Sequence, residues 1–109
     1  MILTGETKLD FERWLHSNDV LIKDGIYDDT YLTDVFDKLP LNLQYASIIE
    51  WFDSVGIYVN SSGLTLSKTF ISDVSVNDNC EYNYDGFRTR KEATEQAIKK
   101  ANEIYNTTL

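Results

Sequence analysis

Hydrophobic residues first recur at helical spacing near the beginning of the chain. Residues 7–17 place three large apolar side chains on one face, so this segment predicts a short helix that Thr7 is placed to cap. Residues 30–39 repeat the spacing and predict a second short helix. That helix should end before Pro40, because the residue preceding a proline avoids helical geometry.

The segment 41–55 has the strongest helical pattern in the first half of the chain. Its apolar residues form one stripe, which consists of Leu41, Tyr45, Ile48, Ile49, Phe52 and Val55. Gly56 follows at the position where a left-handed residue commonly ends a helix. We therefore predict a long amphipathic helix that ends just before Gly56.

After this helix the hydrophobic spacing changes from helical to alternating. Ile57 and Val59 alternate with polar residues, and the sequence NSSG at 60–63 predicts a turn. Alternation resumes along 64–76 with two polar interruptions, so we expect a bend or bulge near 67–68. This part of the chain therefore predicts two strands.

The remaining sequence predicts a hairpin turn, a return strand and a long terminal helix. The turn is expected at 77–79, where Asn and Asp tolerate positive φ, and Gly86 should end the return strand. Thr89 and Glu92 have the spacing of a capping box at the start of the last helix. The apolar face of that helix is narrow and rich in alanine, and it consists of Ala93, Ala97, Ile98, Ala101, Ile104 and Tyr105.

Together these elements predict a fold of the α+β class. Short connections favour a three-stranded antiparallel meander, and the two long amphipathic helices should cover one of its faces. We expect a two-layer helix–meander–helix core over residues 40–106, preceded by an acidic helical extension over residues 1–39. At 109 residues, the chain is expected to form a single domain.

Charge is distributed unevenly along the chain, which carries a net charge of −8. Residues 1–86 contain five basic and fifteen acidic residues, a net charge of −10. Residues 87–109 contain five basic and three acidic residues, a net charge of +2. The dominant negative field opposes binding to phosphate backbones and anionic membranes. It suits a basic protein partner, or it serves solubility alone.

The sequence offers little for catalysis. His16 is the only histidine and Cys80 the only cysteine, so neither a soft-metal site nor a cysteine–histidine nucleophile is expected. Phosphate-binding glycine loops and the common hydrolase motifs do not occur. We predict a protein that is not an enzyme and takes no cofactor or metal.

The single cysteine and the absence of a long apolar run also bear on location. One cysteine cannot form an intrachain disulfide, which favours a reducing compartment. The first residues lack the pattern of a signal peptide, and no stretch approaches the length of a membrane span. We expect a cytoplasmic protein that does not associate with membranes, and the sequence does not define its oligomeric state.

Two sets of residues are candidates for contact with a protein partner. Trp51 and Leu43 lie off the main apolar stripe of their helix. They either anchor a partner or form a second buried face against residues 7–39. The second set consists of acidic loop residues, namely Asp24, Asp28 and Asp29. These carboxylates do not match a calcium loop, and solvated surface charge is their alternative role.

Basic residues at the start of the last helix indicate a different kind of partner. A helix, three strands and a final helix that opens with basic residues resemble a double-stranded RNA-binding domain. In such domains, lysines at this point bind phosphates across a groove. The resemblance implies this role for Arg90 and Lys91, with Arg88 close by, whereas Thr94 stands where a third lysine is expected. The alternative is a helix whose exposed Glu and Lys residues pair with each other.

A second resemblance covers about residues 39–106. The sequences FDSVGI at 52–57 and GFRTRKEATEQAIKKANEIYN at 86–106 resemble small proteins of phages, prophages and mobile elements in gut bacteria. The resemblance implies an accessory protein that acts by binding, and some such proteins mimic the charge of DNA. We therefore predict a non-enzymatic acidic protein that binds a host or phage protein. Double-stranded RNA binding through the last helix is the alternative.

Overall fold

The computed structural model describes residues 1–17 and 34–108, which form an α+β fold. Besides a short helical stretch at 34–37, the helices are α1 (Gly5–Ser17), α2 (Leu41–Ser54) and α3 (Arg90–Thr108). The strands are β1 (Ile57–Leu64), β2 (Thr69–Val76) and β3 (Asn79–Phe87). They form one antiparallel sheet in the order β1–β2–β3. The predicted fold class is confirmed.

The helix α2 has the predicted length, but a different face of it is buried. Gly56 has a φ of 81° just after the helix, as expected for a left-handed ending. At the two ends of the predicted stripe, Leu41 and Val55 are 43% and 40% exposed. The buried residues of α2 are Gln44, Tyr45, Ile48, Trp51 and Phe52. The face is rotated because α2 packs against α1 as well as against the sheet.

The first hairpin turn lies further along the chain than its predicted position. β1 continues through 60–63 and pairs with β2 as far as Leu64, so the turn predicted there is wrong. The turn occupies 65–68 instead. The Asn60 amide donates to the Asp73 carboxylate across the two strands at 3.1 Å. The residue types at 60–63, on which the turn prediction is based, give no sign of this contact. Cross-strand pairing has overridden local turn preference here.

The second hairpin turn is confirmed at 77–78, and Asn79 of the predicted turn is the first residue of β3. Asn77 and Asp78 both adopt positive φ, 52° and 66°, as two-residue hairpin turns require. The prediction that Gly86 ends the return strand is wrong, because β3 continues to Phe87. Gly86 has a φ of 85° and lies where the register between β2 and β3 shifts. It therefore permits a bulge rather than ending the strand.

The last helix docks on the sheet through its alanine-rich face, as predicted. The fully buried residues of α3 are Ala93, Ala97, Ile98 and Ala101. Short side chains let α3 lie close to the sheet, where it contacts all three strands. Thr89 Oγ1 accepts a hydrogen bond from the Glu92 backbone amide at 3.1 Å, so the Thr89 half of the predicted capping box is present.

The start of α1 is capped by a distant helix rather than by a local side chain. α1 begins at Gly5, so the prediction that Thr7 caps it is wrong, and Thr7 is buried within the helix. Asn106 Oδ1 accepts from the Thr7 amide at 3.0 Å and from the Thr7 hydroxyl at 2.7 Å. Asn102 Oδ1 accepts from the Thr4 amide at 2.9 Å. Together Asn102, Asn106, Thr4 and Thr7 form what we call the asparagine clasp.

The segment predicted as an extension contributes to the main core. Residues 34–37 are helical, and residues 30–33 of the predicted second helix lie outside the described residues. Among the described residues of this segment, 1–17 and 34–39, the buried core side chains are Leu3, Phe11, Leu15 and Phe36. They pack in one cluster with buried residues of α2, the sheet and α3.

Candidate interaction site

A groove of about 370 Å³ lies between the N-terminal ends of α2 and α3. Its lining residues are Leu41, Asn42, Tyr45, Ala46, Ile49, Arg90, Lys91 and Thr94. α2 supplies the apolar floor and α3 supplies two cations at the rim. We call this feature the α2–α3 groove.

The groove owes its apolar floor to the rotated face of α2. Trp51 turns into the core beside α1, and this rotation leaves the opposite side of the predicted stripe without full cover. Leu41 is therefore exposed and Ile49 half-buried, and both line the groove. The sequence pattern places these two residues in the core, so pattern alone could not identify them as site residues.

A hydrogen-bonded pair joins the two helices at the groove. The Tyr45 hydroxyl donates to Glu95 Oε1 at 2.7 Å, and Lys91 Nζ lies 3.9 Å from the same oxygen. Burial, together with the hydrogen bond and charge of Glu95, raises the pKa of Tyr45 to about 12. This hydroxyl therefore keeps its proton at neutral pH, so it acts as a hydrogen-bond donor and not as a base.

Arg90 is fixed at the rim of the groove by contacts to the sheet. Its guanidinium carbon lies 5.2 Å from the centre of the Phe70 ring, and Nη1 donates to the Ser61 carbonyl at 3.2 Å. Thr94, which also lines the groove, has its hydroxyl 3.1 Å from that of Ser61. The contacts that Arg90 and Thr94 make to Ser61 therefore connect the rim of the groove to the middle of β1.

The structure brings together only two of the three predicted phosphate-binding residues. Arg90 and Lys91 share the groove, whereas Arg88 precedes α3 and is not among the groove residues. Arg90 also lines a shallow depression with Lys68, from the turn between β1 and β2. The sequence interpretation missed Lys68, because the turn was predicted at 60–63 rather than at 65–68.

The residues predicted to contact a protein partner have different outcomes. The interpretation of Trp51 as an exposed anchor is wrong, because Trp51 is 3% exposed. Its ring centre lies 5.8 Å from that of Phe11, so the alternative, a second buried face against residues 7–39, is correct. Leu43 is 49% exposed, and its role as an anchor stays a prediction. The acidic set lies outside the described residues, namely Asp24, Asp28 and Asp29.

His16 and Cys80 lie on different elements. His16 is near the C-terminal end of α1, and Cys80 is exposed on β3, where its thiol donates to the Tyr82 carbonyl at 3.3 Å. Within residues 1–17 and 34–108, no group of three His, Cys, Asp or Glu side chains is arranged to hold a metal ion. In the same ranges, no helix combines the length and apolar character of a membrane span.

Comparison with protein-family models, with curated proteins and with solved structures gives no match for this chain. The resemblances to phage proteins and to double-stranded RNA-binding domains therefore stay predictions. The α2–α3 groove and the fold around it are the basis for a functional proposal.

Proposed function

We propose that this chain is a non-enzymatic interaction protein that binds a partner protein through the α2–α3 groove. The observation that carries the proposal is an apolar floor beside Arg90 and Lys91, on a chain with a net charge of −8. An apolar floor favours apolar side chains, and the two cations favour carboxylates next to them. The segment that fits has apolar residues adjacent to Asp or Glu.

Two features of the groove favour binding energetically. Leu41 is exposed and Ile49 half-buried, and covering apolar surface of this kind contributes about 25 cal/mol per Å². The guanidinium of Arg90 is already positioned by the Phe70 ring and the Ser61 carbonyl. Binding therefore immobilises little at this position, and the cost in side-chain entropy is small.

We also propose that the partner is a host or phage protein, an idea supported by the sequence resemblance over residues 39–106. Much of the remaining surface is acidic, since residues 1–86 carry a net charge of −10. A basic protein with a local acidic and apolar segment would complement both the groove and this acidic surface.

Selection of peptides from a displayed random library tests the proposal and does not require the partner to be identified first. We expect the immobilised chain to enrich peptides that place Leu, Ile or Phe beside Asp or Glu. Binding of a selected peptide should weaken as salt is raised, because its carboxylates meet exposed cations. Lack of enrichment, or affinity that does not change with salt, would count against the proposed groove.

Two leucines of α2 provide a matched pair of variants. Leu41 lines the groove, whereas Leu43 is similarly exposed on the same helix but does not line it. Leu41→Asp should weaken a selected peptide about tenfold or more, since it places a charge on the apolar floor and repels carboxylates. Leu43→Asp should leave affinity unchanged. The reverse result would move the binding surface to the side of Leu43.

A second function, double-stranded RNA binding, is favoured by one observation. Lys68 and Arg90 line a common depression, and Lys91 follows Arg90 at the start of α3. Against this function stand the net charge of −8 and the contacts that already engage Arg90. A gel shift with duplex RNA at low salt decides the matter. RNA binding predicts a shift that Lys68→Gln weakens, and no shift at micromolar protein excludes it.

A further inference from the structure

The two edges of the sheet are built differently. β3, at one edge, has two register shifts against β2. It also carries Glu81 and Asp85, and Gly86 adopts positive φ within it. Charges and bulges of this kind oppose the addition of another strand. β3 is therefore a protected edge.

β1, at the other edge, has none of these protective features. Its sequence, IYVNSSGL, contains no charged residue and no proline. Every residue pairs with β2 without a register shift, from Ile57 opposite Val76 to Leu64 opposite Thr69. Within the described parts of the chain, no strand pairs with its outer side. A regular, uncharged edge presents backbone donors and acceptors that another strand can satisfy.

Exposed apolar side chains concentrate on the elements at this edge. Eight large hydrophobic residues are exposed in the described ranges, and six of them lie on or beside α2 and β1. These six are Leu41, Leu43, Val55, Tyr58, Leu64 and Leu66. Only two charged residues, Glu50 and Asp53, occur between positions 41 and 67. α2 packs on β1, so these residues border one edge of the sheet. The charged groups that line the depression beside Leu64 are both cations, Lys68 and Arg90.

We propose that β1 pairs with β1 of a second copy of this chain, antiparallel about a twofold axis. The two three-stranded sheets then join into one sheet of six strands. Charge selects this surface, because two chains of net charge −8 repel one another across their acidic surfaces. β1 itself is uncharged and the cations beside it offset part of the net negative charge, so two copies repel one another less at this edge than across their acidic surfaces.

The protected edge determines how far this assembly grows. Pairing through β1 leaves only the β3 edges exposed at the ends of the joined sheet, and these oppose further strands. The assembly therefore closes as a dimer and does not extend into a filament. The Ser61 carbonyl accepts from Arg90, but a carbonyl has a second lone pair, so this bond is compatible with strand pairing.

Analytical ultracentrifugation of the full chain tests the proposal. The measured mass should rise with concentration from 12.6 kDa to twice that value. Asn60→Lys and Asn83→Lys are matched variants, since both asparagines are exposed and both lie opposite Asp73, one from each edge strand. Asn60→Lys should weaken the dimer by at least about tenfold, because it brings two like charges together at the interface. Asn83→Lys should leave the dimer unchanged.

Circular dichroism and urea unfolding establish whether each variant is folded. If Asn60→Lys does not fold, Ser62→Lys takes its place as the variant with a charge on β1. Three results would each overturn the proposal. They are a chain that stays monomeric at every concentration, a dimer that lysine in β1 leaves intact, and growth into assemblies larger than a dimer. Because the assay uses the chain alone, its outcome does not depend on whether the α2–α3 groove binds a partner.

Discussion

The two halves of α3 hold the molecule together in different ways. In the N-terminal half, Arg90 and Lys91 are exposed, and an apolar groove opens beside them. In the C-terminal half, uncharged polar side chains bond directly to α1 through the asparagine clasp. A continuous apolar face runs beneath both halves. The polar side of α3 thus borders an open groove at one end and bonds to α1 at the other.

The chemistry of the side chains explains this division. An asparagine amide both donates and accepts, so it can satisfy backbone groups of a neighbouring helix without burying a charge. A lysine or arginine at the same place would have to lose its hydration, at a cost that hydrogen bonds alone do not offset. The tight junction with α1 therefore uses Asn102 and Asn106, whereas the cations lie where water or a binding partner can reach them.

The largest expected effect comes from removing the asparagine clasp. Asn102→Ala combined with Asn106→Ala removes the acceptor of the buried Thr7 amide, and it leaves the Thr7 hydroxyl only the Asn102 carbonyl at 3.2 Å. It also removes the acceptor of the Thr4 amide. We expect the free energy of unfolding to fall by about 3 kcal/mol, since each unsatisfied buried polar group costs about 1–3 kcal/mol. Urea denaturation measures the loss. The control is Thr107→Ala, on an exposed side chain that bonds only within its own helix. Equal losses in both variants would contradict the structural role of the clasp.

The next largest effect is expected from two tyrosine bridges, which are hydrogen bonds from a tyrosine hydroxyl to a carboxylate. Each half of α3 takes part in one of them. Tyr105 donates to Asp10 at 2.7 Å, and Tyr45 donates to Glu95. Replacing both tyrosines with phenylalanine should lower the free energy of unfolding by about 2 kcal/mol at neutral pH, because each lost hydrogen bond contributes about 1 kcal/mol.

The same bridges predict a dependence on pH. Burial, followed by the hydrogen bonds to their carboxylates, raises the pKa of both tyrosines from 10.0 to about 12. Between pH 10 and 12 the unfolded chain releases protons that the folded chain retains, so the stability contributed by the bridges is lost as pH rises. Urea unfolding should show that the original protein and the double phenylalanine variant differ less and less in free energy of unfolding over this range. A difference that stays constant up to pH 12 would argue against the bridges.

A smaller effect is expected at the cap of the N-terminal half. Thr89→Ala removes the acceptor of the Glu92 amide, and we expect a loss of about 1 kcal/mol in urea unfolding. Thr89→Asp is the matched variant, because aspartate also caps helices, and it should restore stability. A Thr89→Ala protein as stable as the original would show that solvent satisfies this amide equally well.

The smallest effect is expected from the cations themselves. Lys91→Gln should change the free energy of unfolding by no more than about 0.5 kcal/mol, since exposed ion pairs contribute little. Its partner Glu95 keeps the hydrogen bond from Tyr45. The same substitution should weaken a groove-binding peptide measurably. A large loss of stability would mean that Lys91 is structural, and the contrast between the two halves of α3 would then be wrong.

Features of the fold that depend on neighbouring residues could be predicted from the sequence. The turn at Asn77 and Asp78, the cap at Thr89 and the alanine-rich face of α3 all follow from local backbone preference or helical spacing. The overall class followed from the same signals, because short connections leave few arrangements for three strands and two helices.

Features that depend on distant residues could not be predicted. The cap of α1 comes from Asn106, whose spacing from Thr7 carries no local signal. The buried face of α2 is rotated because Phe11 packs on Trp51, so neither the burial of Trp51 nor the exposure of Leu41 follows from helical spacing. The groove results from that rotation. The candidate site was therefore less predictable than the fold that surrounds it.

The asparagine clasp also orders events during synthesis on the ribosome. Its hydrogen bonds join residues 95 to 102 positions apart, so the amides of α1 emerge from the ribosome long before their partners on α3 do. A nascent chain that stops before Asn102 cannot secure α1, and Phe11 and Leu15 then lack their final anchorage. α1 is thus secured only after α3 has been synthesised, and we expect products truncated before α3 to be more open to proteolysis.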